Sequence, residues 1–279
     1  MTKSVQKSLW YVALLAGVLI IYLPGLGNEL VFDDSRLDVG DAVLGHYGSL
    51  TDLKQRLLSY GSFVWIGDLF GAEWWKQRIA NLLIHFAVVV SLLELFRLLA
   101  AQVRWPEELT EKPHFEASRD VAVFVGVACF AFNPVAVHAV AYLIQRSIVM
   151  ATLFVVLSCL FFVRGLLGKG AWNHVFAVVC YVCAVLSKEH AVMAPALAVP
   201  LYLFLRRPSL IRLAMIGGAG VLALAVVAFV LHSIYGSIIG VAFDELSKVY
   251  VAQLKALDPE IEGRVFQLSV LNQMWLFLQ

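Results

Sequence analysis

Long runs of uncharged, apolar residues dominate this chain, and they approach the length that a membrane crossing needs. The first runs from Ser8 to Asn28, and an α-helix needs about 20 such residues to cross the hydrocarbon core of a bilayer. Hydrophobic residues make up 61% of the sequence and charged residues 15%, and the mean hydropathy is +0.83. A chain with so little polar surface cannot enclose a water-soluble globule. The sequence therefore predicts an all-α polytopic membrane protein, because lipid offers no partners for irregular backbone.

Apolar runs of this kind recur and predict seven complete spans and the start of an eighth. The predicted spans cover about residues 8–28, 79–96, 120–132, 147–163, 171–187, 192–205, 213–243 and, for the unfinished one, 265–279. The first run has no small-x-small cleavage site, so we expect it to remain as a helix and not to be removed as a signal peptide. Because the chain stops at Gln279 inside an apolar run, we expect a piece of a longer protein, with a single transmembrane module over residues 1–279.

Basic residues are distributed unevenly around these runs and predict the orientation. Lys3 and Lys7 precede the first run, and short basic turns at residues 164–169 and 206–212 separate later ones. Positive charge in short loops concentrates on the cytoplasmic side. We therefore expect a cytoplasmic N-terminus and external loops after the odd-numbered spans. In a bacterium these loops face the periplasm at the inner membrane, and in a eukaryote the lumen of the endoplasmic reticulum.

The first external loop, about residues 29–78, is far longer than a helix hairpin needs. Leucines at helical spacing within it predict a helix lying in the membrane interface: Leu50, Leu53, Leu57 and Leu58. An aromatic cluster is expected at the depth of the lipid headgroups: Phe63, Trp65, Phe70, Trp74 and Trp75. Simple anchoring explains most of these aromatic residues.

Two adjacent carboxylates, Asp33 and Asp34, open this loop just outside the first span. Such a pair can share a proton, hold a cation, or offer one carboxylate as a general base to a bound hydroxyl. The alternative is a solvated turn that ends the helix.

Three polar residues of the second span, Arg78, Asn81 and His85, share one helical face. A polar stripe on a membrane helix normally faces protein, so these side chains either bind substrate or form hydrogen bonds with a neighbouring helix. The sequence leaves both open.

Arg146 is an unusual residue at the external membrane surface, because no acid lies near it between Tyr142 and Met150. If the stretch after Asn133-Pro134 is helical, His138, Tyr142 and Arg146 form one polar stripe. Lys188 is also external, and Glu189 is its nearest acidic neighbour in sequence. A cation near hydrocarbon is costly, so a compensating anion is expected, and a lipid phosphate meets that need for Arg146.

Four short motifs, in this order, resemble one family. They are Phe32-Asp33-Asp34, Arg78-x-x-Asn81-x-x-x-His85, Asn133-Pro134 with a following Gln145-Arg146, and Leu186-Ser187-Lys188-Glu189. Together they look like the polytopic glycosyltransferases of the GT-C fold that use polyprenyl-phosphate sugars, and most like the membrane O-mannosyltransferases with tetratricopeptide repeats and their bacterial relatives. This chain has Asn133 and His138 where eukaryotic members usually have His and Glu, and no tetratricopeptide repeat, so the sugar and the acceptor stay open.

The resemblance implies a GT-C-type helical bundle that moves a sugar, with inversion, from a polyprenyl-phosphate donor to a hydroxyl of a protein or glycan. Asp34, or else Asp33, would be the general base. The donor phosphate would be bound by Arg146, Lys188 and Arg78. The other polar residues of the substrate site would be His138, Tyr142, Asn133, Glu189 and His85. A divalent cation stays open, and no other cofactor is implied.

Two other classes of membrane protein stay open, a transporter or lipid flippase and a non-catalytic assembly subunit. The first would favour internal repeats and broken helices at the bilayer midplane. A net charge of +1 gives no basic face for nucleic acid, which excludes that partner. The cysteines lie inside apolar segments and are interpreted as buried apolar thiols: Cys129, Cys159, Cys180 and Cys183.

Overall fold

A computed structural model describes most of the first 209 residues and a few beyond them. The described residues are 3–30, 34, 37, 44, 47–49, 56–71, 73–209, 211–215, 217–220, 222 and 226. The chain divides into two compact units, Met1–Arg207 and Pro208–Gln279. The prediction of one module over the whole chain stays a prediction.

The described part of the chain is helical and contains no strand. Its α-helices are α1 Lys3–Tyr22, α2 Leu57–Phe70, α3 Trp74–Ala100, α4 Glu107–Thr110, α5 Phe115–Ala131, α6 Ala136–Val140, α7 Arg146–Leu166, α8 Trp172–Ser187 and α9 Ala198–Arg206. Two 3-10 helices, Leu23–Gly25 and Glu189–Leu197, lie between them, and the described residues 211–215 and 217–220 are also helical. This confirms the predicted all-helical class.

Three segments of the described chain are long and apolar enough to cross a membrane, namely Val5–Gly25, Trp74–Ala100 and Arg146–Leu166. They correspond to the first, second and fourth predicted spans. α5 and α8 have 17 and 16 residues, and at 1.5 Å per residue they are about 26 and 24 Å long. The structure thus supports a helical membrane protein. The count of seven spans stays a prediction, since the later runs lie mostly outside the described residues.

The predicted sixth span, about residues 192–205, is not a single α-helix. Nine residues, Glu189–Leu197, form a 3-10 helix with Pro195 inside it, and α9 follows directly. Proline lacks an N–H and disfavours the α conformation of the residue before it, which explains the break in α-helix. A 3-10 helix rises about 2.0 Å per residue, so these nine residues and the nine of α9 extend about 31 Å. That length still matches the hydrocarbon core of about 30 Å.

The core of the first unit is a layer in which α1 and α5 pack on α3. Leu14 and Val18 of α1, Val89 of α3 and Val127 of α5 are at most 1% exposed and belong to one apolar cluster. A second cluster joins α3 to α7 and α9, with Val163 fully buried. α3 is antiparallel to α1 and to α5, because the end of α3 contacts the start of each of them.

Charged side chains at one end of this layer tie the three helices together. Lys7 of α1 pairs with Glu94 of α3 at 2.9 Å, and Tyr11 donates a hydrogen bond to the same carboxylate. Arg97 of α3 pairs with Asp120 of α5 at 3.0 Å. Leu167, within the basic turn at 164–169, packs against the second apolar cluster beside Leu98 and Leu99, so that turn lies at the same end as Arg97.

The other polar end holds the predicted site residues. Arg78 lies 19 residues before Arg97 on α3, which separates the two ends by about 28 Å, close to the thickness of a hydrocarbon core. The basic turn at 164–169 therefore lies at the opposite end of the first unit from Arg146 and Lys188, and the predicted sides of the membrane stay a prediction.

The first prediction concerns these two ends. In a background without the four native cysteines, we expect His190→Cys and Lys169→Cys to be labelled by a membrane-impermeant maleimide from opposite sides of the membrane. Both native side chains are exposed, so neither label has to enter the core. Labelling of intact cells and of permeabilised cells gives the measurement. Equal labelling of both sites in intact cells would contradict the two-ended arrangement.

Candidate functional site

Arg146, the first residue of α7, is the centre of the polar end. Its side chain is 0% exposed. Nε donates to Asn81 Oδ1 at 2.6 Å, and Nη1 donates to Ser62 Oγ at 3.1 Å. Nη2 donates to the backbone oxygen and to Oε1 of Gln77, at 2.8 and 2.9 Å. The guanidinium carbon lies 3.7 Å from the ring centre of Phe63.

These partners come from two helices that the sequence places side by side. Ser62 and Phe63 belong to α2, while Gln77 and Asn81 lie one turn apart on the same face of α3. Arg146 thereby joins α2, α3 and α7. None of its partners among the described residues is acidic, so its charge is satisfied by neutral oxygens and by the face of an aromatic ring.

Asp34 holds the turn that leads into Arg146. Its side chain is 1% exposed, Oδ2 accepts from the backbone N–H of Leu143 at 3.0 Å, and Oδ1 accepts from that of Ile144 at 2.9 Å. Both carboxylate oxygens thus bind backbone donors 109 and 110 residues away. In this arrangement Asp34 fixes a turn and is not open to an acceptor hydroxyl. Asp33 lies outside the described residues.

Arg78 fixes the exit of the first span. Nη1 donates to the backbone oxygen of Leu26 and Nη2 to that of Glu29, each at 3.0 Å, and the side chain is 6% exposed. The guanidinium also interacts favourably with the charge of Asp34. For Arg78 and Asn81 the described contacts fit the structural interpretation, because both side chains bond to protein.

The predicted stripe of His138, Tyr142 and Arg146 does not form. α6 ends at Val140, and residues 141–145 form turns before α7 begins. His138 and Tyr142 still lie together, with ring centres 5.6 Å apart. Arg146 turns into the core, because the turn held by Asp34 interrupts the helical register. The sequence prediction required one continuous helix, and it is wrong on this point.

His85 and Asn133 line one groove of about 310 Å³, among apolar side chains of α5, α6 and α7. His85 is 2% exposed, and its Nε2 lies 3.1 Å from the backbone oxygen of Ala131. Asn133 is exposed, and its Oδ1 accepts from the N–H of Val135 at 2.9 Å. Asn133 therefore stabilises the turn that starts α6.

Three charged side chains lie at the start of the long 3-10 helix. Lys188 and Glu189 belong to this helix start, and Arg56 comes from the N-cap of α2. Arg56 forms a two-pronged ion pair with Glu189, from Nε to Oε2 at 2.9 Å and from Nη2 to Oε1 at 2.5 Å. This contact holds the pKa of Glu189 at about 2. Lys188 does not pair with Glu189 in this way; its Nζ donates to Ser147 Oγ at 3.4 Å. Burial lowers the pKa of Lys188, and the nearby positive charge of Arg56 lowers it further.

Sequence reasoning missed three contributors to this end: Arg56, Ser62 and Gln77. Gln77 shares the helical face of Arg78 and Asn81 closely enough that spacing alone would have included it. Nothing in the sequence pairs Arg56 with Glu189, 133 residues away. Phe63 is another difference, since it was expected at headgroup depth and is 3% exposed beneath Arg146.

Three remaining expectations concern a metal ion, the cysteines and the interfacial helix. Among the described residues, no group of three or more His, Cys, Asp and Glu side chains is placed to hold a metal ion. The four cysteines are free; Cys129 is exposed and the others are half-buried, so they are less enclosed than expected. The predicted interfacial helix at residues 50–58 lies mostly outside the described residues, and α2 begins only at Leu57.

Comparison with known proteins adds no relative to this picture. No family model, no curated protein and no solved structure matches the chain.

The second prediction tests the role of Asp34 as a structural anchor. Asp34→Asn leaves one oxygen acceptor where two backbone N–H groups need partners, and we expect a loss of about 1–3 kcal/mol in the free energy of unfolding. Asp68→Asn is the matched control, because Asp68 is exposed on α2, and its effect should stay within about 0.5 kcal/mol. Unfolding in mixed micelles measures both. Equal effects of the two changes would contradict the anchor.

The third prediction uses the low pKa of Glu189. Since this pKa of about 2 lies below the ordinary value of 4.5, the ion pair with Arg56 stabilises the fold fully above pH ~5 and loses this effect as the pH falls towards ~2. The difference in melting temperature between wild type and Glu189→Gln should therefore be constant above pH ~5 and shrink to zero near pH ~2. A difference that persists unchanged at the lowest pH would show that Glu189 acts through something other than its charge.

Proposed function

We propose that this protein is a membrane glycosyltransferase that moves a sugar from a polyprenyl-phosphate donor to a hydroxyl acceptor. One observation carries the proposal. Segments of all four motifs, far apart in sequence, meet at one end of the bundle. Asp34 bonds to the turn before Arg146, Arg146 bonds to Asn81, and Lys188 bonds to Ser147. Motifs scattered along a chain are expected to converge in this way when they build one site.

The chemistry suits such an end of a membrane protein. The acceptor oxygen attacks the anomeric carbon, its proton passes to a carboxylate, and the bond between that carbon and the phosphate oxygen breaks. The negative charge that stays on the lipid phosphate needs a cation. Lys188 is the best placed of the predicted phosphate ligands, because it is only half-buried and the one described hydrogen bond of its Nζ is long.

The other predicted residues take different parts in this proposal. Arg78 and Arg146 bond to protein and hold the site in shape, so direct phosphate contact by either needs another conformation and stays a prediction. Because Asp34 is occupied by two backbone N–H groups, we propose Asp33 as the general base. His138 and Tyr142, adjacent and partly open, remain candidates for contact with the sugar or acceptor.

Orientation and location are part of the proposal. The N-terminus faces the cytoplasm, and the end with Lys188 faces the periplasm of a bacterium or the lumen of the endoplasmic reticulum. The position of Lys7 and of the basic turn at 164–169 at the opposite end supports this orientation. The donor is then a lipid of the same bilayer, and the acceptor is a protein or glycan outside it.

A second function is favoured by a specific observation. Arg78, Arg146 and Asp34 are buried and bonded to protein, which is what a non-catalytic assembly subunit needs for rigidity. In that case the polar end would dock another protein, and no sugar would be transferred. Activity of the purified protein separates the two functions.

The fourth prediction is this activity. Protein in nanodiscs should transfer radiolabelled sugar from a polyprenyl-phosphate donor to a hydroxyl acceptor. Asp33→Asn should lower the rate at least ~10²-fold, as expected for a lost acid-base group. Lys188→Ala should raise the KM for the donor, and Lys188→Arg should restore it in part.

Two exposed residues provide matched controls, and a chelator tests the open metal question. Asp68→Asn and Lys169→Ala should leave the transfer rate unchanged. A parallel assay with EDTA reports whether a divalent cation is needed. No transfer by wild type with any of a panel of lipid-linked sugars would support the assembly subunit instead.

A further inference from the structure

The ion pair between Arg56 and Glu189 joins two backbone segments of uncommon conformation. Arg56, the N-cap of α2, has φ of 59°, in the left-handed region that residues with a side chain rarely adopt. Glu189 is the first residue of a 3-10 helix of nine residues, whereas such helices seldom exceed three or four. Conformations of this kind persist only where surrounding contacts hold them, and they concentrate at ligand clamps and switches.

Other described contacts also hold these segments. Besides Glu189, Arg56 donates from Nη1 to the hydroxyl of Tyr60 at 2.9 Å. Ser59, three residues later, donates to the backbone oxygen of Ser187 at 2.8 Å, which joins α2 to the end of α8. The Arg56 and Glu189 side chains are 33% and 46% exposed, so solvent and solutes reach the ion pair.

The surroundings of the pair favour an anion. Lys188 lies close enough to Arg56 for their charges to repel, and Glu189 is the one acidic group described as acting on both. With a pKa of about 2, Glu189 is ionised at neutral pH, so protons do not open the pair there. A phosphate offers Arg56 the same two-oxygen face as a carboxylate, with more charge.

We propose that the Arg56–Glu189 ion pair is a latch, and that a phosphate-class anion bound beside Lys188 opens it by taking the place of Glu189 on Arg56. This inference rests on the proposed function in that the anion is the phosphate of the lipid donor. Arg56 is then a phosphate-binding residue that the motifs did not indicate. Release of Glu189 removes a contact that holds both the start of α2 and the first turn of the 3-10 helix, so donor binding loosens this end for the acceptor.

The test compares the affinity of two probes for the full chain in nanodiscs. The probes are a polyprenyl phosphate without sugar, in the bilayer, and inorganic phosphate, in solution. Because a closed latch competes with the anion, Glu189→Gln should tighten binding about fivefold, the size expected for removing a partly exposed ion pair. Arg56→Gln should weaken binding at least as much.

A second ion pair provides the matched control. Lys76 and Glu73 lie 2.6 Å apart near the same end of α3 and are comparably exposed, so Glu73→Gln should leave both affinities within about twofold. Tightening by Glu189→Gln for both probes supports recognition of phosphate itself, and tightening for the lipid probe alone supports recognition of a headgroup at the bilayer surface.

Two results would overturn the latch. One is unchanged or weaker binding of both probes in Glu189→Gln, and the other is the absence of saturable binding in wild type and Glu189→Gln alike. Failure of the proposed function gives a different result. The affinities of the two probes would change as expected in the variants, while no sugar would be transferred from any sugar-linked polyprenyl-phosphate donor. Tryptophan fluorescence and a sedimentation profile of each variant show that it is folded and monodisperse.

Discussion

A guanidinium with no exposed surface, held by neutral oxygens, is the constraint on which the polar end of this protein depends. Arg146 has four hydrogen bonds to Ser62, Gln77 and Asn81. Removing a charged group's partner inside a protein costs the desolvation free energy of that group, which is larger than for a neutral one. Each of the three partners must therefore stay in place. This fixes α2 and α3 against the start of α7.

The same constraint shapes what this end can do. Asp34 ties the turn before Arg146, Arg78 ties the exit of the first span, and Ser59 ties α2 to the end of α8. Charged groups that are fully bonded build a rigid frame and leave few side chains to act on a substrate. Lys188 and the Arg56–Glu189 ion pair differ from this frame, because their side chains are partly exposed. The hydrogen bond of Lys188 is long, and solutes can reach the ion pair. We therefore expect substrate to be bound by these partly exposed groups and not by the buried frame.

Hydropathy and spacing predicted the helical class, the first two spans and the shared face of Arg78, Asn81 and His85. These features depend on local composition and on helix periodicity, which a sequence displays directly. Asp34, Asn81 and Arg146, which come from three of the four motifs, lie together, while the family that the motifs resemble stays a prediction. The broken register before Arg146 was missed because it depends on Asp34, 109 residues before Leu143. The pairing of Glu189 with Arg56 instead of Lys188 was missed for the same reason.

The most direct measurement of the central claim is a double-mutant cycle between Arg146 and Asn81. Unfolding free energies are measured for wild type, Arg146→Ala, Asn81→Ala and the double variant in the same micelles. If the buried guanidinium organises this end through its neutral partners, the two changes are not additive, and the coupling free energy exceeds about 1 kcal/mol. Additive effects, within about 0.5 kcal/mol, would contradict the claim that this hydrogen-bonded arginine holds the site together.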